Sequence, residues 1–210
     1  MNHAPPHRFT RVFPERQRSF HGVTESASRS RALILLAIAL ALPATAMAEE
    51  SRWGIHGALG VTDKPAARMK QAGIAAVWEP GLGWGKMDSA VFSMAVEGHL
   101  ARWRPNDTTK SGITEIGVTP VLRLTRRYGD IRPYAEAGVG VRLLSHVRLS
   151  DTHTLSSAFQ FADMIGAGLQ AGNRQQYRIG IRFQHLSNAG IKRPNPGINF
   201  WQLYGQYVFG

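Results

Sequence analysis

The sequence has no cysteine among its 210 residues, which excludes a disulfide framework, a thiolate metal site and a cysteine nucleophile. It also lacks a long hydrophobic run, because its longest apolar stretch covers only residues 32–42, whereas a membrane helix needs about 20 apolar residues. No helix-length segment after this run repeats its apolar residues with a period of 3.6. The chain is therefore neither a disulfide-stabilised scaffold nor a bundle of membrane helices.

The apolar run has the flanking residues of a secretory signal peptide. Arg29 and Arg31 precede it, and the small-x-small triplet at residues 46–48 follows it. We therefore expect residues 1–48 to form a leader with a cleaved signal peptide and residues 49–210 to form the mature chain. The polar stretch before the run is long for a signal, so it is either an extended leader or the result of a start codon placed too early.

The chain is strongly basic, with 25 Lys and Arg against 14 Asp and Glu and a formal net charge of +11. The leader holds six of the arginines and two of the glutamates, so residues 49–210 keep a net charge of +7. A basic surface can serve nucleic-acid binding, but an exported protein meets anionic lipid and polysaccharide first. We expect outer-membrane lipids, and no nucleic acid, as partners.

Apolar and polar residues alternate along the mature chain, which places successive side chains on opposite faces of a β-strand. In residues 177–187, Tyr177, Ile179, Ile181 and Phe183 occupy the odd positions. Eight such segments are separated by turn signals rich in Gly, Pro, Asn and Asp. They cover approximately residues 50–60, 71–79, 90–104, 112–125, 132–144, 157–171, 175–187 and 198–209.

Eight is the smallest usual strand number of an outer-membrane barrel. The polar face of the segments consists of small residues and a few charges of both signs, namely Glu97, Glu115, Glu136, Arg123, Arg142, Arg178 and Arg182. Small residues and paired charges suit a narrow, filled interior, so the apolar face would meet lipid. The sequence thus predicts an all-β fold, an eight-stranded antiparallel transmembrane β-barrel. A soluble, secreted β-barrel or sandwich is the alternative.

Aromatic residues near the segment ends are candidates for the two interfacial girdles of such a barrel. They are Trp53, Trp78, Trp201, Tyr177 and Tyr207. Phe209, next to the end of the last strand, also suits outer-membrane assembly. An even strand number after a signal peptide puts both chain ends in the periplasm. Long connections at 145–156 and 188–197 would then lie outside the cell, and the connection at about 80–89 is a longer periplasmic turn than expected.

His185 and Ser187 end the seventh segment and share one face of the strand, with Cα atoms about 6.5–7 Å apart. Imidazole can take the proton of a nearby hydroxyl and make it a nucleophile. Both residues continue the apolar face at the outer end of the barrel, where polar groups facing acyl chains are costly without a role. This placement predicts a lipid ester as substrate; a histidine that only forms interfacial hydrogen bonds is the alternative.

Residues 183–200, FQHLSNAGIKRPNPGINF, resemble the signature of the lipid A 3-O-deacylases, the PagL-type outer-membrane enzymes. The run combines H-x-S-N with N-P-G before the last strand, and the similarity is densest over residues 177–209. The resemblance implies cofactor-free, metal-free hydrolysis of the ester-linked hydroxyacyl chain at the 3-position of lipid A. Lipid A, as part of lipopolysaccharide, would be the substrate and the outer membrane the location.

The resemblance also implies roles for individual residues. By position in the signature, Ser187 would be the nucleophile and His185 the general base. Backbone N–H groups near Asn188 and Gly190 would hold the oxyanion of the tetrahedral intermediate. Asn195 either orders the loop or forms an Asx-turn before the next proline.

The third catalytic position departs from the family pattern. The best-described member of the family has Glu twelve residues beyond the serine, and this chain has Asn199 there. An amide can accept the imidazole N–H but brings no full charge. Asp163 is a further candidate acid, because a three-residue turn would place it beside residue 183 or 185. The alternative for Asp163 is a bulge that turns it inward to an arginine.

The remaining histidines have no acid-and-serine context. We expect His56 and His99 to form hydrogen bonds in the interior, while His146 and His153 in the long outer loop lack metal-ligand partners at suggestive spacing.

Lys192 and Arg193 lie in the loop beside the candidate site and either bind lipid A phosphates or are simply solvated. A non-enzymatic small barrel, an adhesin or a structural protein, is the competing function, and a homodimer remains open.

Overall fold

The computed structural model describes residues 47–48, 50–63, 68–84, 87–106, 111–149 and 153–210. Among these residues there is no helix long and apolar enough to cross a membrane. Ten strands are present in them: β1 (Met47–Ala48), β2 (Arg52–Thr62), β3 (Met69–Glu79), β4 (Leu82–Trp84), β5 (Ala90–Pro105), β6 (Ile113–Arg126), β7 (Arg132–Leu144), β8 (Phe159–Ala171), β9 (Tyr177–Ser187) and β10 (Ile198–Val208).

The eight long strands form a closed antiparallel barrel. Each pairs with the next long strand along the chain, and β10 pairs with β2 to close the ring. Every strand bound lies within two residues of the bound expected from the alternation. The predicted fold class is confirmed.

Two short strands were not predicted. β4 lies in the long connection after β3 and pairs with the start of β5, and β1 pairs with β4. Apart from β1, the predicted leader lies outside the described residues, as do parts of the turn signals at 63–65, 105–107 and 151–153. Cleavage of a leader after Ala48 stays a prediction.

The alternation along each strand sorts side chains between the barrel exterior and interior. In β9, Ile179 and Ile181 are more than half exposed, whereas Arg178 and Arg182 are buried. The other strands do the same, so that apolar residues cover the outside of the barrel. This surface is the one that the hydrocarbon of a membrane would cover.

Aromatic side chains gather at both ends of the barrel. At the end that holds Phe209, Trp53 stacks on Trp78 with ring centroids 6.2 Å apart, and Tyr207 contacts Tyr177 at 5.3 Å and Phe209 at 5.4 Å. At the opposite end, Trp201 contacts Phe183 at 5.1 Å. All five predicted girdle residues and Phe209 are exposed, which fits two interfacial bands.

A network of ion pairs fills the middle of the barrel interior and the half that lies toward Phe209. Arg182 donates to both carboxylate oxygens of Glu97 at 2.7 and 2.8 Å and to Glu136 at 2.6 Å. Arg123 joins Glu136 to Glu79. Arginine and glutamate pair in this way because an unpaired charge in a dry interior is costly.

The remaining predicted interior charges are paired as well. Arg142 donates to Glu115 at 2.6 Å, and Arg178 donates to Glu79. The list of predicted interior charges did not include Glu79, the last residue of the second predicted segment. It lies at the end of β3 and accepts hydrogen bonds from Arg52, Arg123 and Arg178.

His56 and His99 are interior residues, as predicted. The His56 ring stacks on Tyr204 at 4.6 Å and meets His99 edge-on at 6.4 Å. Within the described part of the chain, His56 Nδ1 and His99 Nε2 have no hydrogen-bond partner. The rings therefore contribute packing, and the expected hydrogen bonds are not formed at these two atoms.

An apolar cluster closes the interior at the end opposite Phe209. It consists of Met69, Ala101, Trp103, Ile113, Leu144, Leu149, Leu155, Ala162, Leu186, Ile198 and Phe200. Leu149 and Leu155 come from the connection between β7 and β8, whose chain turns back on itself through an Arg148–Thr154 bridge. This cluster supports the ends of β9 and β10 from inside the barrel.

Candidate active site

His185 and Ser187 lie at the end of β9 on the outer face of the barrel. Gln184 and Leu186, their neighbours along the strand, point inward and are buried. The two candidate catalytic residues are half-buried and continue the row formed by Ile181 and Phe183. The structure thus places both on the face and at the end that the alternation predicts.

Asn199 faces His185 across the β9–β10 hairpin. The two residues are register partners, and His185 Nδ1 lies 2.6 Å from Asn199 Oδ1. Because an amide oxygen only accepts, Nδ1 carries the hydrogen of this bond. The other ring nitrogen, Nε2, is then the one with a lone pair for proton abstraction.

Asp63 extends this chain of contacts and was missed at the sequence level. The Asn199 Nδ2 group donates to Asp63 Oδ2 at 2.8 Å. Asp63 is the residue directly after β2, and the sequence pattern assigned it to a turn. The usable signal was barrel closure: once β10 pairs with β2, the residue after Thr62 must face the residue before Phe200.

Asp163 flanks His185 from the other side. It is the register partner of His185 on β8, and it is exposed on the outer face. The register of β8 continues unbroken through this position, so the alternative of a bulge that turns Asp163 inward is wrong. His185 Nδ1, however, donates its hydrogen bond to Asn199 Oδ1.

The loop between β9 and β10 is ordered by two asparagines. Asn195 Oδ1 accepts the Asn188 N–H at 3.1 Å, Asn188 Nδ2 donates to the Lys192 carbonyl at 2.8 Å, and Asn188 Oδ1 accepts the Gly190 N–H at 3.0 Å. Of the two alternatives for Asn195, ordering of the loop is therefore observed. Both N–H groups expected to hold an oxyanion already donate to side-chain oxygens here.

The connection between β7 and β8 braces this loop. His153 Nε2 donates to the Gly197 carbonyl at 3.0 Å, and Ser156 Oγ donates to the Pro194 carbonyl. Among the described residues no group of three His, Asp or Glu is arranged to hold a metal ion. The hydrogen bond from His153 to the Gly197 carbonyl holds the β9–β10 loop next to His185.

A sequence model described as lipid A 3-O-deacylase (PagL) matches residues 70–208, a range that includes His185, Ser187 and Asn199. The chain belongs to this family. Two curated relatives are each 32% identical to it, the lipid A deacylases PagL of Bordetella bronchiseptica over 170 residues and of Pseudomonas aeruginosa over 127 residues. The first alignment covers 79% of this chain and 89% of the relative, and the second covers 60% and 71%.

A crystal structure of the outer-membrane enzyme PagL superposes on the barrel with a TM-score of 0.66 at 28% identity. The superposition covers 73% of this chain and 98% of that one. Membership of the PagL family and the lipid-facing barrel place this protein in the outer membrane.

Gly197 allows the backbone of the β9–β10 loop to approach His185 closely. Its φ of +59° favours glycine, and a Cβ built on it would lie 2.8 Å from His185 Cε1 and 3.1 Å from the Leu186 carbonyl oxygen. The loop backbone thus packs directly against the imidazole.

Replacing Gly197 by alanine should displace the His185 ring and lower deacylation about 10-fold or more, since small misplacements of a catalytic group can cost up to 100-fold in rate. The matched control is Gly205→Ala on β10, where nothing lies within 4 Å of an added Cβ. Rates measured on both purified variants check the prediction. Equal rates for the two would show that the His185 ring does not depend on this contact.

Proposed function

We propose that this protein is a lipid A 3-O-deacylase that uses Ser187 and His185 to hydrolyse the ester-linked hydroxyacyl chain at the 3-position of lipid A. One observation carries the proposal beyond family membership. A histidine whose Nδ1 is anchored at 2.6 Å by Asn199 stands two residues from a serine on the lipid-facing side of a barrel. A serine with a base in that position can reach the ester of a lipid while that lipid stays in the membrane.

The reaction needs no group beyond these side chains and water. Ser187 Oγ attacks the ester carbonyl carbon while His185 Nε2 takes the hydroxyl proton. The tetrahedral intermediate collapses, the sugar oxygen leaves with the proton from Nε2, and the acyl chain remains on Ser187. A water molecule then attacks this acyl ester with His185 again as base, which releases the hydroxy fatty acid and restores the serine.

Stabilisation of the oxyanion belongs to the same proposal. The N–H groups of Asn188 and Gly190 point at the oxygens of Asn195 and Asn188 in this structure. An ester oxyanion would bind them by replacing these neutral oxygens, and an anion is the stronger acceptor. Asn188 and Asn195 therefore shape the site by holding these N–H groups until the oxyanion displaces their oxygens.

Basic residues at the same end of the barrel suit a phosphorylated lipid. Lys192 and Arg193 are exposed in the β9–β10 loop. Lys70 on β3 and Arg104 on β5 are register partners and are exposed on the outer surface. Trp201, two residues after Asn199, pairs with Val61, which pairs in turn with Lys70. Lys70 and Arg104 therefore lie two and three strands from Trp201, about 10 and 14 Å across the sheet. We propose that these side chains bind the lipid A phosphates and orient the 3-position toward Ser187.

Mass spectrometry of lipid A tests the proposal. Lipid A from a strain that produces the protein should lose the mass of one hydroxyacyl chain, and fragmentation should locate the loss at the 3-position. Purified protein incubated with lipid A should release the matching free hydroxy fatty acid. Unchanged lipid A in both assays, with the barrel folded, would contradict the proposal and favour the non-enzymatic barrel. A loss at another position would contradict the assignment of the ester.

A further inference from the structure

We propose that Asp63 is a positioning residue of this site: it orients the amide of Asn199, and through that amide it fixes the tautomer of His185. The inference rests on the proposed function and adds the residue that directly follows the first long strand. Three side chains form the chain of contacts, with His185 Nδ1 2.6 Å from Asn199 Oδ1 and Asn199 Nδ2 2.8 Å from Asp63 Oδ2.

The two ends of the asparagine side-chain amide have nearly the same shape but opposite hydrogen-bonding roles. The amide can present either an oxygen, which accepts, or an NH2 group, which donates, to a neighbour. A neutral histidine can satisfy either choice by moving its proton between Nδ1 and Nε2. The Asn199–His185 contact alone therefore does not select the tautomer that catalysis requires.

Asp63 removes this ambiguity because an ionised carboxylate can only accept. The amide must turn its NH2 group toward Asp63, so its oxygen faces His185. The ring must then carry its hydrogen on Nδ1, which leaves the lone pair on Nε2 for the Ser187 proton. A glutamate at position 199 would select the same tautomer directly. In this chain the carboxylate acts through an intervening amide.

Barrel closure keeps Asp63 in place. Thr62, the residue before it, pairs with Phe200, the residue after Asn199. Thr62 Oγ1 also accepts the Met69 N–H at 3.0 Å, which ties the end of β2 to the start of β3. Asp63 and Asn199 are 136 positions apart in the chain, so only the pairing of the first and last long strands brings them together.

Asp63 is exposed, so its direct Coulomb effect on the imidazolium is screened by solvent. Orientation of the amide is therefore its main effect, and that effect predicts a specific dependence on residue 199. Loss of the Asp63 charge should matter when residue 199 is an amide. It should not matter when residue 199 is a carboxylate, which can only accept and would also repel a second carboxylate.

The test is a double-mutant cycle on the full-length protein with purified lipid A as substrate. Asp63→Asn should lower kcat about 10- to 100-fold with little change in KM, because the amide is then free to turn its NH2 group toward the ring. In the Asn199→Glu background, the same Asp63→Asn change should leave kcat unchanged or raise it. Asp88→Asn, an exposed aspartate beside the start of β5, is the matched control in both backgrounds.

Three outcomes would overturn the inference. One is wild-type activity in Asp63→Asn. Another is an equal loss in both backgrounds, which would indicate a purely structural role for Asp63. The third is a loss in Asp163→Asn with none in Asp63→Asn, which would give the role to the aspartate on β8.

The ring tautomer provides a readout that does not require activity. Nitrogen NMR of the histidine rings, with His185 assigned from a His185→Gln spectrum, should show the Nδ1–H form in the wild type. It should show loss of that form in Asp63→Asn and its return in the double variant with Asn199→Glu. An inactive wild type with this pattern would contradict the proposed function alone. Active protein whose tautomer does not change would contradict the role of Asp63.

Discussion

Replacing Ser187 by alanine should abolish release of the hydroxyacyl chain while the barrel still folds. The nucleophile forms the acyl intermediate, and removing a serine nucleophile from a hydrolytic site lowers kcat by at least about 10³-fold. Ser187 is half-buried on the outer surface, so loss of one hydroxyl should barely change stability. Mass spectrometry of lipid A, with the faster gel migration of the unheated barrel as a folding check, measures both effects.

Two further variants sharpen this prediction. Ser93→Ala changes another half-buried strand serine, on β5, and should retain full activity. The double variant with His185→Gln should be no less active than Ser187→Ala alone, because a nucleophile and its base act as one unit. If Ser187→Ala still deacylates lipid A, the nucleophile is another group. If the losses multiply, the two residues act independently.

Replacing Arg182 by methionine should destabilise the barrel by about 3–5 kcal/mol, the usual cost of removing one partner from a buried ion pair. Arg182 makes three hydrogen bonds to Glu97 and Glu136 and lies over the Tyr204 ring. Its loss leaves both carboxylates in the interior with fewer donors. Urea unfolding of the protein in lipid vesicles measures the change in free energy of unfolding.

Arg52→Met is the matched control for that experiment. Arg52 pairs with Glu79 at 2.9 Å at the barrel rim, and its side chain is about one third exposed, so its removal should cost less than about 1 kcal/mol. Adding Glu97→Gln to Arg182→Met should recover part of the lost stability, because it removes one uncompensated charge. Equal stability of Arg182→Met and the wild type would mean that the network does not hold the interior together.

Local patterns were enough to locate the eight long strands. A period of two is a property of neighbouring residues, and it predicted the faces of β9 correctly down to the inward Arg182 and the outward Ile181. The same pattern missed β4, which is only three residues long and has no room for an alternation. It also left Glu79 out of the interior charges, because the proline and glycine directly after it are strong turn signals.

The sequence likewise predicted some residues of the candidate site and left others open. His185, Ser187 and Asn199 follow from one short stretch of sequence, since a hairpin brings residues near in the chain together. Asp163 was placed beside residue 183 or 185 because the turn between β8 and β9 is short, and the structure pairs it with His185. Asn195 was left between two alternatives, because loop hydrogen bonds depend on a backbone path that has no period.

The sequence by itself determined that this chain is a membrane barrel with a histidine–serine pair on its lipid-facing surface, because both conclusions depend on the side-chain period of a strand. Only the tertiary structure decided which distant residues contact the surroundings of His185. Asp63 reaches Asn199 through the closing β2–β10 pair, and His153 reaches Gly197 from another loop. Such contacts join distant parts of the chain and depend on strand order and loop conformation, which no local pattern encodes.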